Sequence, residues 1–151
     1  YEDQKGNIWV STNKGLNKLD RKQDKFYHYF FDDSTFLSPS FLIFENDSMA
    51  WIGGGSGLAR FNLNTNELKK YKPDPNDPHS ILSGGLGDMV KDSQGNLWIT
   101  SWGKGISRYV KETDNFIHYL HNPSDPETIF QDAVFSICPD KENGIWVAGL
   151  S

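Results

Sequence analysis

The chain has 151 residues and a formal net charge of −5 at pH 7. That length fits one domain, and that charge gives no electrostatic pull toward nucleic acid or an anionic membrane surface. No run approaches the roughly 18 apolar residues of a spanning helix, Tyr1-Glu2-Asp3-Gln4-Lys5 lacks a signal-peptide profile, and one cysteine, Cys138, excludes an internal disulfide.

In chain order, the first element is Ile8-Trp9-Val10, entered through Asp3 and Gly6-Asn7. A second strand follows Gly15 as Leu16-Asn17-Lys18-Leu19, with the period-2 alternation of a strand. A third carries Phe26 and Tyr29. The series then recurs. Phe41-Leu42-Ile43-Phe44 leads to Ala50-Trp51-Ile52, then to Gly57 with Leu58-Ala59-Arg60-Phe61, then to Leu68 and Tyr71. Leu86-Gly87-Asp88-Met89-Val90 leads to Leu97-Trp98-Ile99, to Gly105 with Ile106-Ser107-Arg108-Tyr109, and to Phe116 and Tyr119. Ala133-Val134-Phe135-Ser136-Ile137 opens a last copy that reaches Ile145-Trp146-Val147.

The four tryptophans are spaced 42, 47 and 48 residues apart. A period of that size holding four strands is a propeller blade. The sequence therefore predicts an all-β fold: a β-propeller fragment of about three four-stranded antiparallel blades plus the first strands of a fourth. The blades are expected over 1–33 (strands B to D), 34–79, 80–127 and 128–151. Pro39, Pro73, Pro75, Pro78, Pro123 and Pro126 are placed in the loops between blades. Asp3, Asp92 and Asp140 stand six residues before a tryptophan, each followed by a Gly/Asn pair that suits a two-residue hairpin. The second repeat has Asp47 at four residues and no such pair, which predicts a shorter turn. The chain begins and ends inside blades, and a closed ring needs roughly four or more. Open edges are thus expected to drive self-association, with 133–138 pairing against Ile8–Thr12 of another copy.

Residues that recur in every blade read as structure. The motif tryptophans Trp9, Trp51, Trp98 and Trp146 are expected to pack between sheets, and Asp92, Gly95 and Gly105 to shape turns. Cys138 reads as a buried strand residue. His28 and His118 share a strand position that Lys70 also occupies, which reads as solvated outer strand. No His/Cys spacing suggests a metal, the acidic loops Asp74/Asp77 and Asp125/Glu127 read as solvated turns rather than calcium loops, and Gly53-Gly54-Gly55-Ser56-Gly57 reads as a tight connection. No phosphate loop or nucleophile elbow is present. Neither cofactor, metal nor catalytic group is expected.

Departures from the repeat are the better binding candidates. Trp102 lies outside the motif, in a connection one residue longer than its counterparts, with Lys104 beside it. It reads either as a platform for a sugar ring or as loop packing. The strand A openings Pro39/Ser40, Gly84/Gly85 and Gln131/Asp132 line the mouth of the axis, Asp88 replaces Ile43 or Ser136 and is aimed into the channel, and His79 and Ser80 lie in a loop on the same face.

Asp92-Ser93-Gln94-Gly95-Asn96-Leu97-Trp98-Ile99-Thr100 with Gly105-Ile106-Ser107-Arg108-Tyr109 resembles the two-component regulator propeller repeat, and the stretches 3–20, 51–62 and 140–149 resemble further copies. The resemblance implies a periplasmic sensor region of a hybrid histidine kinase that recognises a glycan or glycan fragment. Its implied partners are an oligosaccharide-like ligand, the remaining blades and downstream domains of a parent chain. It implies no nucleic acid, no membrane contact from this segment and no enzyme activity here, since kinase activity would lie elsewhere in the parent. A protein-interaction scaffold and a propeller polysaccharide hydrolase or lyase stand as alternatives.

Overall fold

The computed structural model describes residues 1–30, 39–55 and 57–150, with Phe30 described through its backbone alone. The described residues form thirteen strands and no helix: β1 (Ile8–Thr12), β2 (Gly15–Asp20), β3 (Lys25–Phe30), β4 (Pro39–Phe44), β5 (Met49–Gly54), β6 (Gly57–Asn62), β7 (Leu68–Tyr71), β8 (Leu86–Lys91), β9 (Leu97–Ser101), β10 (Gly105–Val110), β11 (Asn115–Tyr119), β12 (Val134–Pro139) and β13 (Ile145–Gly149). They make four sheets of consecutive neighbours, β1-β2-β3, β4-β5-β6-β7, β8-β9-β10-β11 and β12-β13. This is the up-and-down topology of propeller blades. The chain divides into two compact units, residues 1–70 and 71–151.

In the first unit, Trp9, Leu16, Leu42, Ala50, Ile52, Ala59 and Phe61 form the buried core. Trp9 stacks at a tilt on Tyr29 at 5.2 Å and on Phe44 at 5.6 Å. In the second unit, Ile106, Val134 and Ile137 are buried, with Val90, Trp98, Ile129 and Ile145 packed around them. Phe116 is also buried, edge-on to Tyr71 at 5.5 Å.

The recurring aspartate does more than close its turn. Asp92 accepts the backbone N–H groups of Gln94 and Asn96, the side-chain amide of Asn96 at 2.8 Å and the indole Nε1–H of Trp98 at 2.8 Å. Asp3 holds Trp9 at 2.9 Å and Asp140 holds Trp146 at 3.0 Å in the same way. The turn is a five-residue loop organised by one carboxylate, not a two-residue hairpin. Positive φ falls only at its fourth position: Gly6, Gly95 and Asn143. The second repeat does turn in one residue fewer, between Phe44 and Met49. Its residue six before the tryptophan is Glu45, which forks onto Arg60 with two bonds of 2.8 Å. A cation also sits over each of three motif indoles: Lys18 over Trp9, Arg60 over Trp51 and Arg108 over Trp98, at 5.7 to 5.8 Å.

Burial alone would raise the carboxyls of Asp3 and Asp92, but the hydrogen bonds they accept outweigh it and hold both below the ordinary aspartate range. The bonds from Glu142 and Gly144 do the same for Asp140. A carboxyl lowered on folding adds stability above its unfolded pKa, and that stability is lost as pH falls through the folded value. Urea unfolding midpoints are therefore expected to drop between about pH 4 and pH 2, and Asp92→Asn to flatten that acid limb. An unchanged limb in the variant would show that Asp92 does not carry it.

A second recurring element lies nine residues after each strand-opening glycine. Asp24, Asn66 and Asp114 adopt left-handed φ of 51°, 63° and 53°, a conformation that Asp and Asn tolerate best after glycine. Asp114 accepts hydrogen bonds from both Tyr71 and Tyr109 at 2.7 Å. Burial, with this carboxylate, pushes the Tyr71 phenol well above its ordinary value.

The structure corrects several expectations. Trp9 and Trp51 are buried, but Trp146 is 69 % exposed, because among the described residues no further sheet covers its face of β13. Cys138 is exposed, since it alternates with the buried Ile137 along β12. His118 is half-buried and bonds the fully buried Ser107 through Nδ1 at 3.1 Å, while His28 is exposed and pairs with Asn17. Pro39 is the first residue of β4 rather than part of a loop, tolerated there because the ladder shifts register between Pro39 and Phe41. Ser56 lies outside the described residues.

Candidate ligand-binding site

Three inner strands carry a β-bulge at the same place. Register shifts fall between Pro39 and Phe41, Leu86 and Asp88, and Val134 and Ser136. The bulged residues are thus Ser40, Gly87 and Phe135. A bulge re-aims a side chain and bends its strand. In the second unit, two of these bulges meet one exposed tryptophan.

Trp102 sits in the turn between β9 and β10. The Lys104 N–H donates to the Ser101 carbonyl at 3.0 Å, and Gly103 takes φ +64°, as the third residue of a type II turn requires. This turn is one residue longer than its counterparts after β1 and β5. It throws the Trp102 side chain out of the sheet plane, leaving it 59 % exposed. The Trp102 N–H donates to the Gly85 carbonyl at 3.0 Å, which ties the turn to the start of β8.

The indole lies over Gly87. A methyl group there would stand 3.0 Å from Trp102 Cδ1 and Nε1 and 2.8 Å from Thr100 Oγ1. Only a residue without a side chain lets the indole and that hydroxyl settle over the β8 backbone. Phe135 closes one side, edge-on to Trp102 at 5.5 Å and 77°. Thr100 and Ser101 are fully buried, and neither hydroxyl makes a hydrogen bond. The result is an aromatic corner with an open indole face. It can stack a ring on that face.

Asp88 is not aimed into open solvent. Its Oδ2 accepts the Ser136 hydroxyl at 3.0 Å and the Ile137 N–H at 3.1 Å, and its Oδ1 accepts the N–H of Met89. One carboxylate therefore joins β8 to β12 and satisfies a backbone donor on the free side of the inner strand β12.

Asp132 packs the next loop onto the Trp102 turn. Its carbonyl accepts the Gly105 N–H at 2.9 Å and its Oδ1 accepts the His121 N–H at 2.7 Å. Lys104 stands on the same turn, its Cγ 3.8 Å from where a Gly84 methyl would be. Pairing changes the alignment of the strand openings: Pro39 faces Gly54, Leu86 faces Ser101 and Val134 faces Gly149. The counterparts of Gly84 and Gly85 are thus Asp132 and Ala133, and those in the second sheet, 37 and 38, lie outside the described residues.

Gln131 faces elsewhere, into a cleft of about 270 Å³ with Ile129, Phe130, Val134, Val147 and Gly149. Val134 and Val147 hold the register positions that Leu86 and Ile99 fill as buried core in the preceding sheet. The cleft is a sheet-packing face rather than part of the aromatic corner.

His79 and Ser80 are also apart from Trp102. The His79 carbonyl accepts the Phe116 N–H of the outermost strand β11 at 3.0 Å. The Ser80 hydroxyl donates to the carbonyls of Asp74 and Asp77 and accepts the Asp74 N–H. Thr128 repeats those bonds with Asn122 and Asp125. Asp77 and Asp125 each accept a backbone N–H two residues on. The stretches 74–80 and 122–128 are two copies of one Pro-containing loop, and Ser80 belongs to its frame.

The structure thus gathers Trp102, Lys104, Asp88 and Asp132 around the turn after β9, and leaves Gln131, His79 and Ser80 outside it. The residues that sequence reasoning missed are Phe135, Gly87 and Thr100. Their meeting depends on two bulges, which appear only when the strands are paired.

No protein-family model matches the chain, and no curated protein does. Solved structures do. Over 99 % of its length it matches a structure described as the extracellular domain of a hybrid two-component system, BT3049 of B. thetaiotaomicron, with 21 % identity and a TM-score of 0.78. It likewise matches the extracellular domain of BT4673 of the same organism, with 19 % identity and a TM-score of 0.76. The chain spans about a fifth of each of those chains, 21 % and 20 %. At this identity the likeness establishes the fold: these residues adopt the architecture of part of those extracellular domains.

Proposed function

We infer that this chain is a ligand-sensing piece of the extracytoplasmic region of a two-component signalling receptor, and that its ligand is a carbohydrate or glycan fragment. The carrying observation is Trp102: a non-motif indole, more than half exposed, seated where two bulged inner strands meet. A pyranose presents C–H groups to such a face, as apolar contacts do to aromatic rings. The motif repeats and the likeness to extracellular domains of two-component systems support the receptor context. Such a ligand signals only through its different affinity for two arrangements of the receptor.

The test is calorimetric titration of the protein with soluble cello-, xylo- and malto-oligosaccharides, with tryptophan fluorescence in parallel. Saturable binding to one class is expected. Trp102→Ala is expected to weaken it by at least about tenfold, equivalent to about 1.4 kcal/mol, while unfolding shifts little because the side chain is largely exposed. Retained affinity in that variant would place the ligand elsewhere.

A further inference from the structure

We propose that Asp88 is the positioning residue of the aromatic corner: it fixes Phe135, and through Phe135 it fixes the orientation of the Trp102 indole. This deepens the ligand reading above and rests on it for the corner's purpose, though not for the geometry.

Phe135 is the bulged residue of β12, paired with no residue of β13. A bulged residue lacks the ladder bonds that hold its neighbours, so its direction depends on what anchors the strand beside it. The next two residues are Ser136 and Ile137, and both donate to Asp88 Oδ2. Asp88 itself follows the bulged Gly87, over which Trp102 lies. One carboxylate thus spans the two bulges that carry the corner, with Phe135 on one side and the floor of the indole on the other. The corresponding residues of the other inner strands, Phe41 and Ser136, have no carboxylate. Only this junction carries one among the described residues, and only this junction carries an exposed, non-motif tryptophan. The carboxylate and the corner occur together because the first aligns the second.

Three indole and amide signals of the isotope-labelled chain test this: the Ile137 amide, the Trp102 indole N–H and, as a fold control, the Trp98 indole N–H bonded to Asp92. Asp88→Ala is expected to speed hydrogen exchange at the Ile137 amide by about tenfold through easier local opening. It should move the Trp102 indole peak and leave the Trp98 peak in place. Asp88→Asn, which keeps one acceptor oxygen, should restore the Trp102 peak part of the way. If Asp88→Ala also loses the Trp98 peak, Ser136→Ala removes only one of the bonds and the same two readouts decide. A Trp102 peak that stays put while Ile137 exchanges faster overturns the proposal, as does an unchanged Ile137 amide. Oligosaccharide titration separates the two readings. If no sugar binds yet Trp102 responds to Asp88, the ligand reading falls and the positioning role stands. If a sugar binds with the same affinity to wild type and Asp88→Ala, the positioning role falls and the ligand reading stands.

Discussion

Replacing Trp9 by alanine is expected to lower the unfolding free energy by about 3–5 kcal/mol. Trp9 is 2 % exposed at the centre of the first unit's core. Its ring contacts Tyr29 and Phe44, Lys18 lies over one face, and its N–H is bonded to Asp3. Truncation opens a cavity among rigid aromatic neighbours that cannot collapse into it, so the cost falls toward the upper end of large-to-small substitutions. Against a typical domain stability of about 5–15 kcal/mol, that is a large share. Trp9→Phe separates the two contributions. It keeps most of the apolar volume but loses the donor to a carboxylate, a bond worth about 1.5–3 kcal/mol. Urea unfolding should show lowered midpoints with an unchanged slope. A loss below about 1 kcal/mol for Trp9→Ala would mean that the motif tryptophan is not what holds these sheets together.

Gly105→Ala is expected to cost about 2–4 kcal/mol, summing a left-handed backbone and an overpacked site. Gly105 has φ +86°, and a methyl there would stand 2.7 Å from the Tyr119 carbonyl oxygen, 2.8 Å from Leu120 Cδ2 and 3.3 Å from Asp132 Oδ1. The first of these is backbone and cannot swing aside. Gly103 provides the internal control, because it has φ +64° and open space around it. Gly103→Ala should therefore cost only the conformational part, about 1–2 kcal/mol. The Gly105 variant should also loosen Asp132 from the turn and so disturb Trp102, visible as a change in its fluorescence. Equal costs for the two variants would contradict the close approach of Tyr119 and Asp132 to Gly105.

Much of this protein is legible in its residues because the repeat samples each position several times. The strand-opening glycines Gly15, Gly57 and Gly105 and the tyrosines Tyr29, Tyr71 and Tyr119 fall at a constant offset, and Trp9 and Trp51 stand equally far before their glycines. Constant offsets reflect short-range constraints, namely strand length, turn length and side-chain alternation. The same logic could have found two elements that went unread: the left-handed Asp24, Asn66 and Asp114, and the paired loops 74–80 and 122–128. Thr128 repeats the position of Ser80, which marks that hydroxyl as part of a recurring loop frame.

The site was not legible in that way. Trp102 could be picked out because it breaks the repeat, but its surroundings could not. Phe135 and Gly87 look like ordinary alternating strand residues until pairing shows that each is an extra residue in its ladder. Asp88 looks like a channel-facing acid until β12 supplies the Ser136 hydroxyl and the Ile137 N–H, 48 and 49 residues away in sequence. Sequence by itself determined the repeating frame, since local periodicity and turn chemistry specify strands and their order. Tertiary structure alone decided the aromatic corner, since bulges and inter-sheet hydrogen bonds are set by which backbone groups remain unpaired once the sheets have met.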